Sequence, residues 1–494
     1  MTLLSFLSVN LLSENLLLLS SILLFAAILV TKLGTRFGVP SLLLFLLLGM
    51  AVGQDGLGLH FEDYEVAESI GHFAMTIILF TAGLETSLAE SKPVLRQGAV
   101  LSTAGVMVTV LLTGGFIWLA AGKVVGSSVL GCFLLAAVMG STDSASVFSV
   151  LRSKRIHLRE NLGPMLELES GSNDPMAYTL TIILVKLISD GSRMATGGWS
   201  LFFQGLLVLV LQIVVGIAVG ITVGFAAKWA ISRIRLSGFS LYAILILSVG
   251  FFSNGLASLL KGNGLLALYI AAIIVGNMDK FPYRKEILHF FDGMTWLMQL
   301  VMFLLLGLLA RPSQMLHVLV PALLVGLFIM LIARPASVFL CLLPFRKLSA
   351  RAKFLTSCVG LKGAGPILFA LCPVVAGFEG SSEMFNMVFL ITLFSLLLQG
   401  TSLTPVARML RLCYDEDPKA ETFGMEIPEE MGMLRDHTVS EEDLSAGTTL
   451  RDLSLPHGIR VMMVRRGDRF LVPHGSMILE PGDRLIIIMG ESDD

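Results

Sequence analysis

From Trp199 to Ala227 the chain carries no charged residue and few polar ones, and a run of this kind limits the fold more than any other feature of the sequence. In lipid every backbone N–H and C=O must find its partner within the protein, so such a run forms a helix. About 17 to 25 apolar residues are enough to cross the hydrocarbon core. On that criterion about thirteen segments qualify, near 14–31, 38–55, 68–88, 97–121, 126–150, 163–187, 200–228, 237–258, 263–278, 286–310, 314–342, 352–377 and 384–409. Composition agrees: 55% of the 494 residues are hydrophobic and 15% charged, with a mean hydropathy of +0.82. Soluble domains are about half apolar and about a quarter charged. The fold class is an α-helical polytopic membrane protein.

Charge in the loops supports the count. Alternate loops, beginning with the one holding Lys32 and Arg36 and ending with the one holding Arg346, Lys347, Arg351 and Lys353, carry 18 Lys and Arg. The intervening ones carry five: Lys123, Lys186, Arg193, Lys261 and Arg311. Cytoplasmic loops hold the basic excess. The reading is therefore an inner cell membrane protein, N-terminus outside and C-terminus in the cytoplasm. The N-terminus lacks a basic n-region, so its first span is expected to stay. The five cysteines are scattered without metal-type spacing and read as packing residues. Eight dispersed histidines and no nucleophile set beside a base argue against an enzyme, and no cofactor or nucleic-acid partner is expected.

An odd span count leaves spans two to six and nine to thirteen as two five-helix units of opposite orientation, as an inverted repeat requires. The fourth span of each unit is interrupted, at "MGSTDSAS" (139–146) and at "GLKGAGP" (360–366). Matched breaks point to a transporter's substrate site; ordinary glycine kinks are the plainer alternative.

The stretch "ELESGSNDPMAY" (167–178) sets carboxylates, an amide and hydroxyls beside the apolar "TLTIILVKLI". Polar groups at membrane depth mark function by default. Asp174 follows Ser170 by four residues, on one helical face, with Asn173 adjacent, and Pro175 cannot bond the carbonyl of Gly171. Hard oxygen ligands suit an alkali cation, and a carboxylate out of water also holds a proton readily. One group that accepts either ligand gives exchange by competition; a helix cap or a buried hydrogen bond is the plainer reading. Glu169 points to another face, where Arg334 in "LIARPASVF" can neutralise it, unless Arg334 snorkels to the headgroups. Asp143 and Lys362 stand at the two breaks, where opposite charges offset facing helix ends; Asp143, with the Thr142 backbone, can also join Asp174 as a ligand. Glu85 either lines an access route or ends a solvated helix.

These residues resemble the monovalent cation–proton antiporter family in its NhaP-like, largely electroneutral branch, closest to the potassium/proton, cell-volume-regulating subgroup. "GSTD" (140–143), "ELESGSNDP" (167–175), "LIARPASVF" (332–340) and "GLKGAGPI" (360–367) carry the likeness, in family order. The resemblance implies NhaA-like inverted repeats and a homodimer. It implies an ion at Asp174 with Asn173, Ser170, Thr142 and Asp143 around it, and a structural Glu169–Arg334 pair. K⁺ is the favoured cation and Na⁺ the alternative; "GLE" (83–85) resembles sodium-selective relatives, and Lys362 stands where the family usually has Arg. Asn at 173 implies one charge for one, serving pH, cation or volume homeostasis. A tail-gated cation channel is the competing class, although no repeated filter sequence is present.

The charge changes sign near the end: from Tyr414 there are 18 acidic and 8 basic residues. The division expected is a membrane domain (1–411), a charged linker (412–423) and a small cytoplasmic α/β domain (424–494) whose alternation and turns at Gly467-Asp468 and Pro481-Gly482-Asp483 read as short strands. The last resembles TrkA-C or RCK-C regulatory domains, which dimerise and can bind small ligands; no nucleotide-cradling glycine fingerprint precedes it.

Overall fold

The computed structural model describes residues 16–37, 40–121, 128–153, 156–190, 198–415, 434–440, 443–444, 447–453, 459–466 and 469–489. Residues 14–15 of the first expected span, Lys123, Lys154, Arg155 and Arg193 of the charge pattern, residues 416–423 of the linker, the start of the tail domain from 424 and the Gly467-Asp468 turn lie outside the described residues. The chain divides into two compact units, Met1–Tyr414 and Asp415–Asp494.

The first unit is helical. It opens with α1 (Leu16–Phe37), α2 (Ser41–Val52), α3 (Tyr64–Glu85) and α4 (Leu88–Ala120). α5 (Val129–Val138) and α6 (Ser144–Ser153) flank the non-helical residues 141–143. Then come α7 (Leu162–Asp190), α8 (Gly198–Arg233), α9 (Phe239–Leu259), α10 (Gly264–Gly276), α11 (Arg284–Leu309) and α12 (Pro312–Cys341). α13 (Ala350–Cys358) and α14 (Ala364–Val375) flank a second break at 360–363, and α15 (Ser381–Met409) closes the unit. Among the described residues seven helices, α3, α4, α8, α9, α11, α12 and α15, are long and apolar enough to cross a membrane, and α1, α2, α5, α10 and α14 are shorter apolar helices. α7 has the length, at 29 residues, but carries Glu167, Glu169 and Asp174 inside it. After α6 a short strand, β1 (Ile156–Leu158), pairs with β2 (Cys413–Asp415) beyond α15, and the His157 ring stacks on Tyr414 at 5.5 Å.

Burial separates centre from periphery. Of the most apolar window of α15, 67% is buried, against 28% in α8 and in α9. The side chains α8 turns outward, Phe203, Leu207, Leu211, Val214, Phe225 and Trp229, are those that lipid would solvate. Lipid gives helices no hydrophobic drive to associate, so contact depends on close backbone approach. Gly216, Gly220 and Gly224, spaced four apart on α8, meet α10: a Cβ on Gly216 would lie 2.8 Å from the Asn263 carbonyl and one on Gly220 2.6 Å from the Ala267 carbonyl. A second approach pairs α2 and α11, where a Cβ on Gly307 would lie 2.9 Å from Gly49 Cα.

The second unit shows strands. β3 (Leu434–Thr438), β4 (Ile459–Arg466), β5 (Arg469–Leu471) and β6 (Arg484–Met489) form an antiparallel sheet in the order β3-β6-β4-β5. Leu485 pairs with His437 on one side and Val464 on the other. Val439, Leu453, Val464, Leu479, Leu485 and Ile487 make its core. No helix occurs among its described residues, so only the strand half of the α/β expectation is on view. The turn into β6 has Pro481 followed by Gly482 at φ +93°, with Asp483 N donating to the Glu480 carbonyl at 3.0 Å, the pattern of a type II turn. Asp483 is buried and accepts from Arg466 Nε (2.9 Å) and Nη2 (2.7 Å). Burial works to raise its carboxyl, but the Arg466 hydrogen bonds and charge outweigh that and hold it below the usual carboxylate range.

Replacing Gly220 by valine forces α8 away from α10, at an overpacking cost of about 1–3 kcal/mol, and the melting temperature of the detergent-solubilised protein falls. Gly255 of α9 faces open space, so Gly255→Ala leaves the melting temperature unchanged or slightly raised.

Candidate ion-binding site

Where helices α5 and α6 stop short of one another, and α13 and α14 likewise, the two breaks meet. Asp143 N donates to the Leu361 carbonyl at 2.8 Å, so main chain bonds main chain across the crossing. Lys362 Nζ donates to the carbonyls of Met139 (2.6 Å) and Ser141 (2.7 Å), groups that the end of α5 leaves without helical partners. A cation at a helix C-terminus also offsets the negative end of its dipole. Asp143 serves the other end: its carboxylate accepts from Ser146 N (3.1 Å) and Ser146 Oγ (2.5 Å), capping α6. Gly363 faces this carboxylate and has no room for a side chain.

α7 braces the first break along one face. Ser170 Oγ donates to the Thr142 carbonyl (2.8 Å) and accepts from Ser144 N (3.0 Å). Asn173 Nδ2 donates to Thr142 Oγ1 (2.5 Å), and its Oδ1 accepts from Thr142 N at 3.4 Å. One residue on, the Asp174 carboxylate accepts from Ser141 Oγ. Ser141, Thr142, Ser170 and Asn173 are buried, whereas Asp174 and Asp143 stay partly accessible. Gly365, at the start of α14, leaves room beside the pair: a Cβ there would lie 2.9 Å from Ser141 Oγ and 3.6 Å from Asp174 Oδ1. Of the two partly accessible carboxylates Asp143 is engaged in capping α6, which leaves Asp174 beside neutral oxygens and amides already committed to each other, a donor set for a small monovalent cation or a proton.

Glu169, on another face of α7, forms a buried ion pair with Arg334 of α12. A Cβ on Gly360 would lie 2.9 Å from Arg334 Nε, so the glycine makes room for the guanidinium. Arg334 therefore sits in the interior, away from the headgroups, and the snorkelling alternative does not describe it. Glu85 ends α3 and is exposed.

Several contributors carry no local signal strong enough to be found in the sequence. Ser141, inside "GSTD", is the hydroxyl that reaches Asp174. Ser395 and Gln399 of α15 hold the second break: Lys362 N donates to Ser395 Oγ (2.9 Å), Ser395 Oγ to Gln399 Oε1 (2.5 Å), and Gln399 Nε2 to the Cys358 carbonyl (3.2 Å). Their four-residue spacing in an apolar run was the clue available. Asn263 Nδ2 donates to the Pro175 carbonyl (2.8 Å) and to Thr179 Oγ1 (2.6 Å), just past Asp174. Tyr269 packs its ring on Gly171 and brings its Oη to 3.4 Å from Thr86 Oγ1. A cavity of about 1060 Å³ opens between α3 and α7 to α10, lined by His72, Thr76, Tyr178, Asn254, Lys261 and Asn263 among others.

The chain and its fold have known relatives. The family model "Sodium/hydrogen exchanger, transmembrane" matches residues 20–409, and the TrkA-C domain model matches residues 434–493. The chain is 35% identical over 474 residues to the K(+)/H(+) antiporter NhaP2 of Shewanella baltica, covering 95% of this chain and 80% of that protein. It is 36% identical to the K(+)/H(+) antiporter NhaP of Alkalimonas amylolytica, over 94% of this chain and 80% of that one. Its fold is similar to the structure of the sodium proton antiporter MjNhaP1 from Methanocaldococcus jannaschii, with a TM-score of 0.66 at 22% identity over 79% of this chain and 97% of the other.

Removing one member of the Glu169–Arg334 pair leaves the other charge buried and unpaired, a loss of about 3–5 kcal/mol. Thermal unfolding of purified Arg334→Met or Glu169→Gln will show that loss, and the double variant will melt closer to wild type than the sum of the two single effects requires.

Proposed function

The chain belongs to the sodium/hydrogen exchanger family, and on that premise we propose that it is a secondary antiporter exchanging a monovalent cation for H⁺ by competition at Asp174. One observation carries the reading: at the crossing of the broken helices, Asp174 is a partly accessible carboxylate whose neutral neighbours are buried and bonded to one another. A cation arriving at that carboxylate displaces a proton, and a proton displaces the cation. The empty, charged site is the costly state to carry through a low-dielectric interior, so movement between the two sides is coupled to occupancy.

The neighbours have positioning roles. Asn173 and Ser170 spend their hydrogen bonds on Thr142 and Ser144, holding the extended segment against α7, and the hydroxyl of Ser141 orients the Asp174 carboxylate. Asp143 is engaged in capping α6, which favours an electrostatic role for it over direct ligation. Lys362 balances the carboxylates from the far side of the break. With an amide at 173, one carboxylate exchanges one charge for one, which is electroneutral transport. K⁺ is the favoured cation because two relatives more than a third identical are named K(+)/H(+) antiporters; Na⁺ is the alternative.

The same reading extends to the whole membrane unit. Thirteen spans, with the N-terminus outside and the C-terminus cytoplasmic, account for the charge alternation, and the meeting of two broken helices supports an inverted repeat. A homodimer in the cell membrane, cation or volume homeostasis, and small-ligand sensing by the TrkA-C-type domain complete the proposal.

The test is proton movement in everted membrane vesicles on adding K⁺, Na⁺ or Li⁺. Cation-dependent dequenching is expected from wild type and is abolished in Asp174→Asn; full activity in that variant would refute the mechanism. Collapsing the membrane potential with an ionophore leaves the rate unchanged if exchange is electroneutral, and changes it if exchange carries net charge.

A further inference from the structure

We propose that Glu68, His72 and Cys372 form a binding site for one borderline-soft divalent ion of the zinc class, set between the first half of α3 and the second half of α14. Glu68 and His72 are four residues apart, so one helical face presents both. Cys372 comes from the broken-helix segment, 300 residues after His72 in the chain. A carboxylate oxygen, an imidazole nitrogen and the thiol sulfur all lie within 4.8 Å of one another. Ligands about 2.0–2.3 Å from a tetrahedral ion stand roughly 3.3–3.8 Å apart, so binding draws the Glu68 and Cys372 side chains in towards His72 by about 1 Å.

Three further observations point to a ligand. His72 Nε2 is buried and has no hydrogen-bond partner among the described residues, a state that costs free energy unless something fills it. The His72 ring is held edge-on against Tyr178, with centroids 4.7 Å apart and planes at 73°, which limits its reorientation. His72 also lines the cavity of about 1060 Å³, and a site with three protein ligands leaves its fourth position open to a water.

The donor set selects the ion. Thiolate and imidazole are poor ligands for K⁺ or Na⁺ and good ones for Zn²⁺, so this site differs in chemistry from the oxygen site at Asp174. The charges also close: a divalent ion with one thiolate, one carboxylate and a neutral imidazole is neutral overall, which an apolar interior favours. The thiol proton and any carboxyl proton leave as the metal binds. Occupancy joins α3 to α14, the segment that follows the Lys362 break.

The experiment uses the intact protein, chelator-stripped in detergent, titrated with Co²⁺ as the probe and then with Zn²⁺. The expected result is one Co²⁺ per chain with a sulfur-to-metal charge-transfer band that Zn²⁺ displaces. Cys372→Ser abolishes the band, and His72→Gln weakens Zn²⁺ binding by about tenfold or more. A variant with Cys132, Cys341, Cys358 and Cys413 all changed to serine keeps the band. Absence of the band in wild type, or an undiminished band in Cys372→Ser, would overturn the proposal.

Discussion

The membrane unit depends on how it satisfies the backbone groups exposed where two helices stop inside an apolar environment. An unpaired N–H or carbonyl in hydrocarbon costs several kcal/mol, and each break exposes several. The solution is mutual. Asp143 N bonds to Leu361 O, Lys362 Nζ takes the carbonyls of Met139 and Ser141, Asp143 caps α6, and Ser395 and Gln399 secure the other strand of the crossing. Once these bonds are made, the chain is fixed in an extended form that only a few side chains can brace, and the bracing face of α7 is the one that carries Asp174. Site and scaffold are therefore one network.

The helices around the crossing divide the work. α15, the most buried of the long helices, supplies the internal hydrogen bonds, whereas α8 and α9 turn most of their apolar surface outward, and α8 approaches α10 through glycines. The Glu169–Arg334 pair lies between these functions. It adds little net stability compared with an apolar pair of the same shape, but it fixes α7 against α12 in one register, so the neighbouring Ser170, Asn173 and Asp174 face the break.

Much of this was legible in the sequence because lipid makes polar residues conspicuous. The stretch 167–178, the two glycine-rich interruptions and Arg334 stand out against apolar runs, and each is found where two or more segments meet. What could not be read is partnership at long range. That Ser141 reaches Asp174, that Asn263 reaches Pro175, and that Cys372 lies beside Glu68 and His72 depend on helix packing, which no local spacing encodes. Asp143 was ambiguous for a related reason: a carboxylate before a helix start is both a cap and a candidate ligand, and only the Ser146 contacts show that it caps. Glu85 was ambiguous because a helix end and a vestibule have the same composition. In the tail, alternation and turn residues gave the strands, while their order, β3-β6-β4-β5, came only from the structure.

If one carboxylate holds either a cation or a proton, then binding of the cation must release the proton. The measurement is proton release by isothermal titration of the purified protein with K⁺ in buffers of different ionisation enthalpy. About one proton released per cation bound, with no release in Asp174→Asn, is the expected result. Saturable cation binding with no proton released at any pH would contradict competition at Asp174.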